Sequence, residues 1–92
     1  MKITREDEGG RGRYVTEIEG HDAELTFHKE GSTLTIDYVG VPRPLEGRGI
    51  GTQLLAHAVT EARARGETLV PVCPFAAAKI ARHPEWQDVV GR

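Results

Sequence analysis

Three alternating glycines, Gly47, Gly49 and Gly51, lead into a helical stripe that begins at Ile50. The whole segment reads Val41-Pro42-Arg43-Pro44-Leu45-Glu46-Gly47-Arg48-Gly49-Ile50-Gly51-Thr52. At a helix start the first backbone N–H groups have no intrahelical acceptor, and the helix dipole places positive charge there. Glycines remove the Cβ atoms that would keep a ligand away, so the natural guest is a phosphate or diphosphate. Val41, Gly47, Arg48, Gly49, Ile50, Gly51 and Thr52 are expected to surround it, with Arg48 and Arg43 adding charge. The dipole is worth only ~0.3–1 kcal/mol, so several amide hydrogen bonds must supply most of the grip. The second candidate for chemistry is Cys73, followed by Pro74, a good first residue for a helix. A thiol near pKa ~8.5 is only a few per cent thiolate at neutral pH, and a helix N-terminus lowers that value. A drop of about one unit would make roughly a quarter of the molecules thiolate, enough for a transient acyl-cysteine. Free cysteine is also among the most buried residue types, so a small apolar core residue is an equal reading.

The elements that must position these groups change period halfway along the chain. Ala23, Leu25 and Phe27 alternate with Glu24, Thr26 and His28, and Leu34, Ile36 and Tyr38 alternate with Thr33, Thr35 and Asp37. Both runs read as half-buried strands, with Tyr38 packing on the core face. With Tyr14 to Glu19 they predict a three-stranded antiparallel meander, and the charged, glycine-rich residues 1–12 predict a flexible or irregular lead-in. From Ile50 the apolar positions Leu54, Leu55, Ala58, Val59 and Ala62 fall on one helical stripe, and Gly66 suits a left-handed cap. Thr68 to Val72 predicts a buried strand, and Pro74 to Arg82 a helix that Pro84 stops. Trp86 then lies as a lid on the core. His28 and His57 fall on polar faces, His21 in a turn, and His83 beside Pro84 in a cap or packing position.

Spacing separates the glycine segment from two other phosphate loops. A P-loop needs a lysine before its Ser/Thr, whereas Gly51 precedes Thr52 directly. A dinucleotide fingerprint needs G-x-G-x-x-G within a βαβ unit, whereas here the spacing is G-x-G-x-G after a meander. The segment resembles the acetyl-CoA loop of the GCN5-related N-acetyltransferases, [Q/R]-x-x-G-x-[G/A], with Gly49 and Gly51 at the small-residue positions. Glu46 departs from that pattern, because it stands where the family has Gln or Arg. Downstream, Val70-Pro71-Val72-Cys73-Pro74-Phe75 and Arg82-His83-Pro84-Glu85-Trp86 resemble the small YjdJ-type branch of this superfamily. The likeness covers roughly residues 14–90. A histidine common in that branch is absent from the strand end Tyr38-Val39-Gly40.

The resemblance implies an α/β (α+β) fold, a single minimal domain in which the strand before the glycine loop splays from the next parallel strand. It implies acetyl-CoA as cosubstrate, an acyl-pantetheine arm in the gap, and Cys73 near the thioester. The reaction implied is acetyl transfer to an amine, with a protein or peptide amine favoured by an open acceptor groove. The extra N-terminal helices of larger relatives have no counterpart in the residues before the meander. A non-catalytic CoA-binding or interaction module on the same fold is the competing reading, and a nucleotide-binding regulator is a third.

Composition narrows the rest. Ninety-two residues make one core, and a single cysteine excludes an internal disulfide and a Cys-based zinc site. No His, Asp and Glu spacing suggests a metal. A net charge of −2 offers no footprint for nucleic acid or an anionic membrane. No secretory or membrane-spanning stretch is visible, so the expectation is a cytoplasmic monomer or weak dimer.

Overall fold

A computed structural model describes residues 1–91. Strands β1 (Thr4–Glu8), β2 (Arg11–Ile18), β3 (His21–Glu30) and β4 (Thr33–Gly40) form an antiparallel meander. Helix α1 (Ile50–Arg65) then crosses to β5 (Thr68–Pro71), which pairs parallel to β4, giving one sheet in the order β1-β2-β3-β4-β5. Helix α2 (Pro74–Ala81) and a short 3-10 turn (Pro84–Val89) finish the chain. No helix is long and apolar enough among the described residues to cross a membrane.

The meander has four strands, not three. Residues 5–12, expected as an irregular lead-in, supply most of β1 and the start of β2. Hydrophobic alternation misses β1 because its inward residue is Arg5, paired in register with the buried Tyr14. The other expected elements stand close to their predicted bounds. Ile50, Leu54, Leu55, Ala58, Val59 and Ala62 are all buried against the sheet, and Gly66 caps α1 at φ 69°. Trp86 is buried and stacks on His83, with ring centroids 3.8 Å apart. His83 Nδ1 in turn lies 2.7 Å from the Lys79 carbonyl, so its role is in packing and capping.

The irregularity that matters most is in β4. Phe27 pairs with Ile36, but Thr26 pairs with Tyr38, so Asp37 is an extra residue in a bulge. His28, expected to be solvated, lies 3.0 Å from the Asp37 carboxylate across this bulge. The bulge inverts the alternation beyond it. Val39 therefore packs toward the core and Tyr38 is 55% exposed on the opposite face, correcting the core position expected for it. The pairing of β4 with β5 stops at the same place, at Ile36 opposite Pro71. Pro71 has no N–H to extend the ladder, and the amides of Val72 and Cys73 both turn back to the Ile36 carbonyl. Beyond that point β4 is paired only with β3, and its other edge is open.

Among the described residues one buried side-chain polar atom lacks a hydrogen-bond partner: Thr16 Oγ1, in a residue only 2% exposed. Thr16→Val removes a desolvated hydroxyl at near-constant shape. It is expected to raise stability by about 1 kcal/mol, as read by urea unfolding.

Candidate cofactor cleft

Where β4 leaves β5 the chain makes a 3-10 turn (Arg43–Leu45), plugs Leu45 fully into the core, and enters the glycine segment. The three glycines have different tasks. Gly47 (φ 82°) and Gly49 (φ 74°) adopt left-handed conformations that other residues reach only at a cost, and a Cβ on either would meet nothing within 4 Å. Gly51 is helical and buried. A Cβ there would stand 3.0 Å from the Phe75 ring, so this glycine makes room for Phe75.

The backbone donors are free. The Glu46 amide is taken by the Arg43 carbonyl at 3.1 Å, and Gln53 starts the helical ladder by donating to Gly49 at 3.1 Å. Between them, the amides of Gly47, Arg48, Gly49, Ile50, Gly51 and Thr52 find no acceptor among the described residues. All of these residues but Arg48 line a cleft of about 480 Å³ whose far walls are Tyr38, Val39, Gly40 and Val41 from β4 and Phe75 and Lys79 from α2. This is a cradle that a diphosphate fits: open space over two glycines, unpaired donors and the positive end of a 16-residue helix.

The side-chain charges are not where the sequence suggested. Neither Arg43 nor Arg48 lines the cleft. Arg48 donates to both carboxylate oxygens of Glu19 at 2.8 and 3.3 Å, and this hydrogen-bonded pairing holds the Glu19 carboxyl below its ordinary value. Glu19 itself sits in the β2–β3 turn at φ 54°. The cation lining the cleft is Lys79, with its Nζ 5.8 Å from the Phe75 ring centroid. Phe75 and Lys79 are four apart on α2 and so share a face, which the sequence displayed without showing what that face meets. Tyr38 was hidden by the bulge.

Cys73, for which two roles were open, is 6% exposed and belongs to the core. It occupies the N-cap of α2 as expected, but it is not among the residues that line the cleft. Val41, Gly47, Gly49, Ile50, Gly51 and Thr52 do come together there.

The family described as GCN5-related N-acetyl-transferase matches residues 13–89. The chain belongs to this family. The family resemblance extends to a solved structure, an NMR solution structure of a GCN5-like protein from Staphylococcus aureus, a proposed N-acetyltransferase. It superposes with a TM-score of 0.70 at 25% identity, covering 96% of this chain and 87% of that one. No curated protein matches the sequence. The resemblance implies a strand that parts from its parallel neighbour ahead of a glycine-led helix, and both are present.

Proposed function

We propose that the protein transfers an acetyl group from acetyl-CoA to an amine. The observation that carries this reading is the run of unaccepted amides from Gly47 to Thr52, five of whose six residues line the cleft beside the place where β4 and β5 separate. In this reading those amides hold the diphosphate, and the edge of β4 that β5 leaves open offers strand hydrogen bonds to the pantetheine arm. The thioester carbonyl supplies the electrophile. The neutral amine nitrogen attacks it, a C–N bond forms as the C–S bond breaks, and the proton that nitrogen sheds ends on the departing thiolate, leaving an amide and CoA thiol. Phe75 and Tyr38 line this gap.

The burial of Cys73 supports direct attack by the amine and leaves Cys73 as packing. Cys73→Ala is then expected to change kcat by no more than about twofold and to cost about 1 kcal/mol of stability. Intact mass after incubation with acetyl-CoA checks the route. A stable acetyl adduct on the native chain that the substitution abolishes would reverse it.

Glu46 lines the cleft with a carboxylate. It favours weak cofactor binding, and it is the feature that also fits a CoA-binding module without turnover. Glu46→Gln removes a like charge from beside the diphosphate and is expected to tighten acetyl-CoA binding about three- to tenfold. Calorimetric titration of both proteins, followed by an acetyl-transfer assay with added amines, tests the function. Binding without transfer to any amine selects the module.

A further inference from the structure

A hollow larger than the cleft at the glycine segment lies elsewhere on the molecule. It lies on the face of the sheet turned away from the helices, about 820 Å³, bordered by Glu6, Glu8, Arg11, Arg13, His28 and Asp37 among others. It shares Glu6 and Arg13 with a neighbouring hollow of about 450 Å³, which reaches Glu17 and Asp22. Asp22 in turn borders a third, of about 190 Å³, together with Glu24 and Tyr38. Tyr38, Gly40 and Val41 are common to this last hollow and to the cofactor cleft. The three form one continuous trough that opens beside the place where β4 splays.

Its charge is one-sided. Six outward carboxylates border the trough against three cations, with Asp7 turned inward to Arg5, although the whole chain is only −2. One of those cations, Arg13, is already shared between Glu6 at 2.7 Å and Glu24 at 2.9 Å. Asp22, at the cleft end, has no ion pair among the described residues, and neither has Glu17. The core lies wholly on the other face, where α1 packs on β2, β3 and β5 and α2 on β4 and β5.

We propose that this uncovered sheet face docks the acceptor, and that the acceptor is a basic polypeptide segment whose lysine amine reaches the thioester past Tyr38. The proposal rests on the acetyl-transfer reading and adds the substrate class to it. Charge complementarity selects a cationic partner. Shape selects a chain over a small amine. A small-molecule site usually buries most of its ligand in one enclosed cavity, whereas this surface is a run of shallow hollows along strands about 25 Å long. The exposed Tyr38 ring marks the junction, where an ammonium can rest on its face, give its proton to solvent water and attack as the neutral amine. The bulge at Asp37 therefore has a purpose in this reading, because without it Tyr38 would face the core.

Docking is read without turnover. The full chain, uniformly labelled with nitrogen-15 and saturated with CoA, which has no acetyl group to transfer, is titrated with a short peptide carrying one lysine flanked by arginines. A second peptide replaces the arginines by glutamates. Amide shifts are expected at outward positions of β2 and β3 and at the end of β4, with the basic peptide only, weakening several-fold as salt is raised. Asp22→Lys and Glu17→Lys alter exposed residues and are each expected to weaken the basic peptide about tenfold while acetyl-CoA affinity is unchanged. Shifts on the helical face, equal binding of both peptides, or indifference to Asp22→Lys overturn the proposal. So does concentration-dependent self-association through this face. If acetyl-CoA itself fails to bind in the calorimetric titration, the acetyl-transfer reading falls, and the docking result is judged separately from these spectra.

Discussion

Glu67→Ala is expected to lower the unfolding free energy by ~3–5 kcal/mol, the cost of stranding one member of a buried ion pair. The side chains of Arg5 and Glu67 are 7% and 5% exposed. Arg5 donates to Glu67 at 2.9 and 3.1 Å, to Asp7 at 2.8 and 3.1 Å, and to the Tyr14 hydroxyl at 3.0 Å. Lys29 approaches the same Glu67 carboxylate at 3.5 Å. Alanine would leave a guanidinium with two of its five acceptors gone and would untie β1 from the residue before β5, sixty-two positions away. A chain of this size has ~5–14 kcal/mol in total, so the loss takes a large fraction of it. At about 4–8 °C per kcal/mol, the thermal midpoint falls by at least about 12 °C. Glu61→Ala, which breaks the solvent-exposed pair with Arg65, is the control and is expected to cost ~0.3–0.5 kcal/mol. Equal effects from the two substitutions would show that burial of the Arg5–Glu67 pair is immaterial.

The same pair fixes a direction with pH. Burial raises the Glu67 carboxyl, but the Arg5 hydrogen bonds and charge, helped by Lys29, outweigh it and hold the group below its ordinary value of 4.5. Asp7 is lowered as well, chiefly by its hydrogen bond to Arg5. Groups depressed in the folded state stabilise fully above their unfolded values and lose that contribution as pH falls through the folded ones. Native stability is therefore expected to decline below about pH 4.5, and in Glu67→Ala the acid-dependent part of the decline is smaller.

The features legible from residue types were those set by local rules. The period of Ala23, Leu25 and Phe27, the stripe from Ile50 to Ala62 and the cap at Gly66 each depend on neighbours a few positions away. The features that escaped depend on partners far along the chain. Arg5 reads as a solvated charge until Glu67 closes over it. Tyr38 reads as a core residue because alternation carries no mark of an extra residue, and Asp37 looks like any other outward position. Arg48 stands beside the cleft in sequence, yet Glu19, in a turn twenty-nine residues earlier, draws it aside. Lys79 reaches the cleft only because α2 folds back against α1. The glycines illustrate both cases. Gly47 and Gly49 are required by backbone angle, which is local, whereas Gly51 is required by Phe75, which is not.

Gly49→Asp is expected to weaken acetyl-CoA binding at least about 100-fold, a loss of ~2.7 kcal/mol, with the fold retained. Aspartate is among the residues that tolerate a left-handed backbone, and nothing lies within 4 Å of its Cβ position, so the chain accepts the side chain. What changes is the occupant of the cradle. A carboxylate attached to the loop competes for the amides of Ile50, Gly51 and Thr52 and repels the diphosphate they would otherwise hold. Gly49→Ala separates this effect from backbone strain. It costs ~1–2 kcal/mol of stability for the left-handed conformation, but leaves the amides open, so binding weakens only a few-fold. Gly51→Ala acts elsewhere, pushing on the Phe75 ring at 3.0 Å, and is expected to disturb the wall of the cleft more than its anion site. Calorimetric titration of the three variants, each checked for its thermal midpoint, orders them. Native-like affinity in a folded Gly49→Asp protein would mean that the diphosphate is held away from these amides, and the assignment of the cleft would fail with it.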